Sequence, residues 1–120
     1  MKIVVTSQGP DLNSQVDPRF GRAKNFIVVD TETEEFTVHD NTQNLNAAQG
    51  AGIQAGRTVA DLGVEAVVTG NVGPKAFAAL QAAGIKIFLG ASGTVKEAVK
   101  KFKAGELQDA SKANVEGHWM

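Results

Sequence analysis

Two glycine-rich segments have the clearest potential for chemistry in this chain. Residues 70–73 (Gly-Asn-Val-Gly) stand before Pro74 and Lys75, and residues 90–93 (Gly-Ala-Ser-Gly) stand before Thr94. Glycine lets the backbone approach a ligand closely, and the first N–H groups of a helix lack partners within that helix. Such N–H groups bind anions with the help of the helix dipole. Neither segment matches a P-loop or a dinucleotide-binding motif, so the pattern predicts a general anion site.

Basic residues precede these segments in a long polar stretch, residues 8–24. Arg19, Arg22 and Lys24 cluster there and could close over the same anion. Lys75 falls in the first turn of a predicted helix, where the dipole disfavours a cation unless an anion is bound beside it. Two glycine turns combined with a basic loop therefore favour a ligand site over simple turn punctuation.

The residue types that are missing narrow the chemistry. The chain has no cysteine, which excludes thiol catalysis and zinc or iron–sulfur clusters held by cysteine. A nuclease needs several carboxylates around its metals, but the first strand has none, and Asp11 and Asp17 have no partner on the next strands. We find no Ser–His–Asp grouping; we interpret His39 as an exposed strand residue and His118 as part of a tail. The sequence therefore predicts no catalytic residues and a protein that is not an enzyme.

Composition and charge exclude other classes of protein. The 120 residues suit one domain, and the net charge of −1 provides no field that would attract nucleic acid or an anionic membrane. No apolar run approaches the roughly 20 residues of a membrane span. The first residues, MKIVVTS, lack the features of a signal peptide and read as a strand, so we expect a cytoplasmic protein.

The elements that must position the glycine turns follow from hydrophobic periodicity. The predicted strands are 2–7, 25–30, 35–40, 64–69 and 85–89, and the predicted helices are 48–62, 74–83 and 94–104. The second and third strands should pair as an antiparallel hairpin, with Phe36 and Val38 facing inward. Strands that alternate with helices imply parallel strands and right-handed crossovers.

This order of elements predicts an α/β fold of the ribonuclease-H-like, three-layer type. Its sheet would have five strands in mixed orientation, the second antiparallel, with helices on both faces. We expect one cofactor-binding domain over residues 1–108 and an extended or disordered tail over 109–120. Ligands of open α/β sheets bind outside the carboxyl ends of the parallel strands, where both glycine turns would lie.

Three segments resemble one known family. They are RFGRA at residues 19–23, GVEAVVTGNVGPKAF at 63–77 and AGIKIFLGASGTV at 83–95. They are similar to the nitrogenase iron–molybdenum cofactor biosynthesis accessory domains, over about residues 1–108. The resemblance implies a carrier of a preassembled molybdenum-containing sulfide cluster, with copper as a candidate second metal, held without cysteine. The family often has histidine before FGRA; Arg19 stands there in this chain, which favours outer-sphere attraction of an anionic cluster.

The predicted site joins the turns to the basic loop. We predict no direct metal ligand, and we predict these cofactor-binding residues: Ser7, Arg19, Arg22, Gly70, Asn71, Gly73, Lys75, Gly90, Ser92, Gly93 and Thr94. The partners implied are the cluster and the proteins that assemble or receive it. Two alternatives stay open. The same loops could serve an enzyme or sensor that binds a phosphorylated metabolite or nucleotide, or the glycines could be only turns in a protein–protein adaptor.

Overall fold

The computed structural model describes residues 1–41 and 51–110. Its elements follow the chain as six strands and three helices within these ranges. They are β1 (Lys2–Ser7), β2 (Asn25–Asp30), β3 (Phe36–Asp40), α1 (Ala51–Asp61), β4 (Ala66–Val68), α2 (Pro74–Ala82), β5 (Lys86–Leu89), α3 (Val95–Lys103) and β6 (Gln108–Asp109). The helical prediction for residues 48–50 lies outside the described residues. No helix in the described ranges is long and apolar enough to cross a membrane.

The strands form one sheet in the order β3-β2-β1-β4-β5-β6. β1 pairs with β2 antiparallel and with β4 parallel, and β5 continues the parallel set beside β4. β3 pairs antiparallel with β2, as the short turn between them predicts. This arrangement confirms the predicted ribonuclease-H-like fold with an antiparallel second strand.

The sheet has six strands rather than the predicted five. β6 pairs antiparallel with β5, where Leu89 faces Gln108 and Phe88 faces Asp109. The N–H of Ala110 then donates to the carbonyl of Ile87 at 2.8 Å, and Ala110 is fully buried. A strand of two exposed residues has no hydrophobic alternation, so the sequence pattern gives no sign of it.

Two apolar cores lie on opposite faces of the sheet, which confirms helices on both faces. α1 and α2 cover one face, where Val59, Phe77 and Leu80 pack on side chains such as Val67. α3 covers the other face. Consecutive residues of a strand point to opposite faces, so β1, buried on both, has an apolar centre in which Val4 faces one core and Ile3 and Val5 face the other.

The predicted burial of β3 is wrong. Phe36 and Val38 were expected to face inward, but they are 39% and 38% exposed. β3 is the outermost strand of the sheet in the described part of the chain, with β2 as its neighbour. An alternating strand pattern shows which residues share a face, but it does not show whether a helix covers that face.

Candidate functional site

The two glycine turns lie side by side at the carboxyl ends of β4 and β5. The N–H of Gly90 donates to the carbonyl of Gly70 at 3.2 Å, and the N–H of Ala91 donates to the carbonyl of Thr69 at 3.1 Å. Parallel pairing of β4 and β5 places both strand ends at the same edge of the sheet. This confirms the predicted adjacency of the turns.

The long loop after β1, residues 8–24, runs along both turns. The N–H of Val16 donates to the carbonyl of Gly93 at 2.9 Å. On the other turn, the N–H of Asn71 donates to the carbonyl of Pro18 at 2.7 Å, and a β-bridge joins Asn71 to Arg19. The structure therefore brings the RFGRA segment next to residues 70–75, as the sequence predicts. We call residues 70–76, residues 90–94 and the RFGRA segment together the cradle.

Gly70 is required by this close approach of the loop. A Cβ at this position would lie 2.7 Å from the Cα of Pro18 and 2.8 Å from its carbonyl oxygen. Real Cβ atoms do not approach other atoms so closely, and the Cα and carbonyl oxygen of Pro18 cannot move away as the end of a flexible side chain could. Gly70 thus has a packing role, independent of any ligand.

The turn before α2 has backbone N–H groups that are not used in hydrogen bonds within the described chain. Gly73 is the N-cap residue and provides no side-chain cap, and Pro74 at the next position has no N–H. Across the ranges that the structure describes, the N–H groups of Val72, Gly73, Lys75 and Ala76 have no acceptor. This is the donor-rich helix start that an anion site needs. Val72 and Ala76 were not among the predicted site residues.

The turn before α3 differs, because the N–H groups at the start of this helix donate to acceptors within the protein. The hydroxyl of Thr94 accepts from the N–H of Glu97, and the Glu97 carboxylate accepts from the N–H of Thr94. The next two N–H groups, of Val95 and Lys96, donate to carbonyls of residues 14 and 12 in the long loop. The expectation that both helix starts present unpaired donors is therefore wrong for α3.

Ser92 and Gly93 are the residues of the second turn that keep unpaired donors. Within the described parts of the chain, neither of their N–H groups has an acceptor. Ser92 is exposed and Gly93 is half-buried. With residues 70–76, the two turns therefore present six backbone donors without acceptors from the described chain.

The cationic side chains of the site differ in their surroundings. Lys75 is exposed at the start of α2. The side chain of Arg19 is 65% exposed, and its Nε lies 3.4 Å from Oδ1 of Asp17, a carboxylate that is itself buried. The pair is weak because one partner is largely in solvent. Arg22 is half-buried.

Buried side-chain hydrogen bonds connect the long loop to the ends of β1 and β4 beneath the site. The sequence analysis did not identify these residues. Oγ1 of Thr6 lies 2.7 Å from the carbonyl oxygen of Asp17 and 2.7 Å from Oγ1 of Thr69. All three residues are at most 1% exposed. Threonines at the ends of two apolar strands, β1 and β4, are the signal that could have identified this pair.

Ser7 is bound within its own turn. Its hydroxyl donates to the carbonyl of Gly9 at 2.7 Å and accepts from the N–H of Gly9 at 3.2 Å. The residue is fully buried, so no part of its side chain faces solvent. Ser7 was predicted to bind a cofactor, but its side chain has no exposed group that could contact one.

The described residues include no group of three or more His, Cys, Asp or Glu that could hold a metal ion. The site offers instead N–H donors and cations. A metal bound there would therefore need to bring its own ligands and to be recognised through them.

Comparisons with known proteins show the family of the chain. The chain is 46% identical to the apo form of the orange protein from Desulfovibrio gigas, with a TM-score of 0.89 and 92% of both chains covered. It is 38% identical to a candidate NifB protein from Thermotoga, with a TM-score of 0.80 over 92% of this chain and 94% of that one. It is 30% identical to an uncharacterised protein of Methanocaldococcus jannaschii, over 80% of this chain and 83% of that protein. Residues 1–105 match the family described as "Dinitrogenase iron-molybdenum cofactor", and the chain belongs to this family.

Proposed function

We propose that this protein is a carrier that binds a preassembled metal–sulfide cluster without covalent attachment. The cluster contains molybdenum, with copper as the candidate second metal. The observation that carries the proposal is the pair of adjacent glycine turns with six unpaired N–H groups in the described chain. The cradle binds and releases its cargo and performs no catalysis.

The chemistry of such a cluster matches the donors of the cradle. A thiometallate cluster carries its own sulfides and a negative charge, so it needs N–H donors and cations rather than thiolates. Hydrogen bonds to charged groups contribute roughly 1.5–3 kcal/mol each, so a few of them hold a ligand specifically yet reversibly. Reversible binding suits a protein that passes its cargo to a recipient, and we propose cluster-assembly or recipient proteins as its partners.

The backbone and the side chains of the cradle make different contributions to binding. The N–H groups of Gly73, Lys75 and Ala76 donate to sulfides of the cluster at the start of α2, and the helix dipole adds roughly 0.3–1 kcal/mol for an anion. Ser92 and Gly93 donate from the neighbouring turn. The side chains of Arg19, Arg22 and Lys75 add positive charge around the cargo.

The descriptions of the family and of one relative support the proposal. The description of the family refers to the iron–molybdenum cofactor of dinitrogenase. The solved structure of the orange protein is described as its apo form, the term for a protein without its bound group. We extend both properties to this chain because the likeness spans nearly its whole length.

The test is reconstitution of the cluster. The purified protein is mixed with tetrathiomolybdate and copper and passed through a size-exclusion column. We expect visible absorbance to elute with the protein, and Lys75→Ala and Arg22→Ala to reduce the retained absorbance severalfold. Lys86→Ala is the matched control, since Lys86 is exposed on β5 away from the cradle.

Two results would reject the proposal. The first is protein that elutes folded but without a chromophore. The second is a thermal stabilisation by nucleotides or sugar phosphates with none by thiometallates, which would identify a phosphorylated ligand, because phosphate suits the same N–H donors. Retention that is equal in Lys75→Ala and Lys86→Ala would reject the role of Lys75.

A further inference from the structure

A cleft of about 180 Å³ lies on the face of the sheet that α3 covers, apart from the cradle turns. Leu12 of the long loop, Val29 of β2 and Val99 of α3 line it with apolar side chains. Val29 and Val99 also belong to the apolar core of this face. The cleft is therefore an open continuation of the core, with a floor that would gain from contact with an apolar group.

The rim of the cleft is positively charged. Lys96, Lys100 and Lys103 of α3 line it, opposed by the carboxylate of Glu34. Nζ of Lys103 lies 3.9 Å from Oε2 of Glu34, and both side chains are well exposed, so this pair is weak. The rim thus has a surplus of positive charge in a protein whose net charge is −1.

The spacing of the lysines indicates the shape of the occupant. Lys96, Lys100 and Lys103 lie at i, i+4 and i+7, on one face of α3, and span about 10 Å along the helix axis. A single carboxylate cannot contact all three ammonium groups, whereas carboxylates spaced along a peptide can. Small-molecule pockets are typically on the order of 300–1,000 Å³, so a cleft of about 180 Å³ suits one bulky side chain.

We propose that this cleft docks an acidic segment of a partner protein. One aliphatic or aromatic side chain of the segment enters between Leu12, Val29 and Val99, and carboxylates on either side of it pair with the lysines. Leu12 belongs to the loop that also runs along the cradle turns, and its carbonyl accepts from the N–H of Lys96. A docked partner would therefore contact the loop that borders the cradle. The proposal does not depend on what the cradle binds.

The test is fluorescence anisotropy of the full chain with a labelled peptide that has one leucine between two pairs of glutamates. We expect saturable binding that weakens at least tenfold in the Lys96→Glu/Lys100→Glu variant. The matched control is Lys86→Glu/Lys101→Glu, which changes the net charge equally at exposed positions outside the cleft. A peptide with serine in place of leucine should bind at least fivefold more weakly than the leucine peptide.

Three outcomes would overturn the proposal. One is the absence of saturable binding by the leucine peptide. Another is an equal loss of affinity in the control variant, which would indicate general attraction between charges. The third is saturable binding of laurate without binding of the peptide, which would identify a lipid-like anion as the occupant. The Lys96→Glu/Lys100→Glu variant should still retain the chromophore in the cluster experiment, so the two proposals can fail separately.

Discussion

The side-chain amide of Asn41 donates a hydrogen bond of 2.7 Å to the carbonyl oxygen of Ala23, and both residues are buried. The same amide donates to the carbonyl of Gly21 at 3.4 Å, and the backbone N–H of Asn41 donates to the carbonyl of Lys24 at 2.8 Å. The first residue after β3 thus holds the end of the RFGRA segment. Asn41 is not among the site residues predicted from the sequence.

Asn41→Ala should destabilise the fold, because it removes both side-chain donors and leaves the buried carbonyl of Ala23 without this partner. A buried polar group that loses its hydrogen bond costs about 1–3 kcal/mol. We expect the free energy of unfolding in urea to fall by about this amount. Asn13→Ala, at an exposed position of the long loop, is the control. An equal, small effect of both substitutions would show that Asn41 does not hold the segment.

Gly73→Ser should raise stability and lower cluster binding together. Gly73 has an extended conformation (φ −74°, ψ 166°), and an added Cβ meets nothing within 4 Å, so serine fits. Its hydroxyl would accept from the N–H of Lys75 or Ala76, which stabilises α2 by roughly a few tenths of a kcal/mol and takes a donor from the cradle. Urea unfolding and the chromophore assay measure the two effects. Unchanged chromophore retention would contradict the proposed use of these donors.

Gly70→Ala provides a contrast within the same turn. Its methyl group would meet the backbone of Pro18 at 2.7 Å, so the loop must move. Overpacking of this kind typically costs about 1–3 kcal/mol. We expect a lower unfolding midpoint for Gly70→Ala and a higher one for Gly73→Ser. If both variants lose stability equally, the two glycines serve only as turn residues.

Stability should fall in acid because of two carboxylates. Hydrogen bonds from the backbone N–H and then the hydroxyl of Thr94 lower the pKa of Glu97 below its ordinary value of 4.5. Backbone N–H groups of Glu32 and Thr33 lower the pKa of Asp30 below 3.8. A carboxylate with a lowered pKa in the folded state stabilises the fold above its unfolded pKa, and this stabilisation is lost as the pH falls through the folded value.

Glu97→Gln should therefore reduce the loss of stability in acid, while it lowers stability at neutral pH. Urea unfolding near pH 7 and at about pH 3.5 measures both effects. Glu106→Gln, at an exposed position after α3, is the control and should change neither. An identical pH profile for Glu97→Gln and the unmodified protein would exclude a contribution from the capping pair.

Glu34→Gly should strengthen binding of the acidic peptide to the α3 cleft. Glu34 has a φ of 63°, in the left-handed region that favours glycine, and it is the one acidic residue among the described residues that line the cleft. Its removal releases Lys103 and relieves backbone strain, so we expect severalfold tighter binding in low salt and no loss of stability beyond about 1 kcal/mol. Anisotropy measures the affinity, with Glu106→Gln as the charge control. Equal tightening in both variants would contradict a specific role for Glu34.

Several features could be predicted from the sequence because their causes are local. β1 and β2 have the predicted bounds, since an apolar run between polar breaks marks a buried strand. Pro74 begins α2 as predicted, and Thr94 with Glu97 forms a capping box at the start of α3, a pattern that four consecutive residues define. Residues a few positions apart decide these features. The positions of the two glycine turns, directly before α2 and α3, are local in the same way.

Other features depend on contacts between residues that are far apart in the chain. Whether a helix start keeps its donors depends on what packs against it: residues 12 and 14 reach the start of α3, and no described residue does so at α2. Three further features arise in the same way: the hydrogen bond from Asn41 to Ala23, the pairing of β6 with β5 and the exposure of Phe36. Each backbone N–H group has one hydrogen to donate. Only the folded chain determines whether that hydrogen is bonded to a carbonyl of the protein or is left for a ligand.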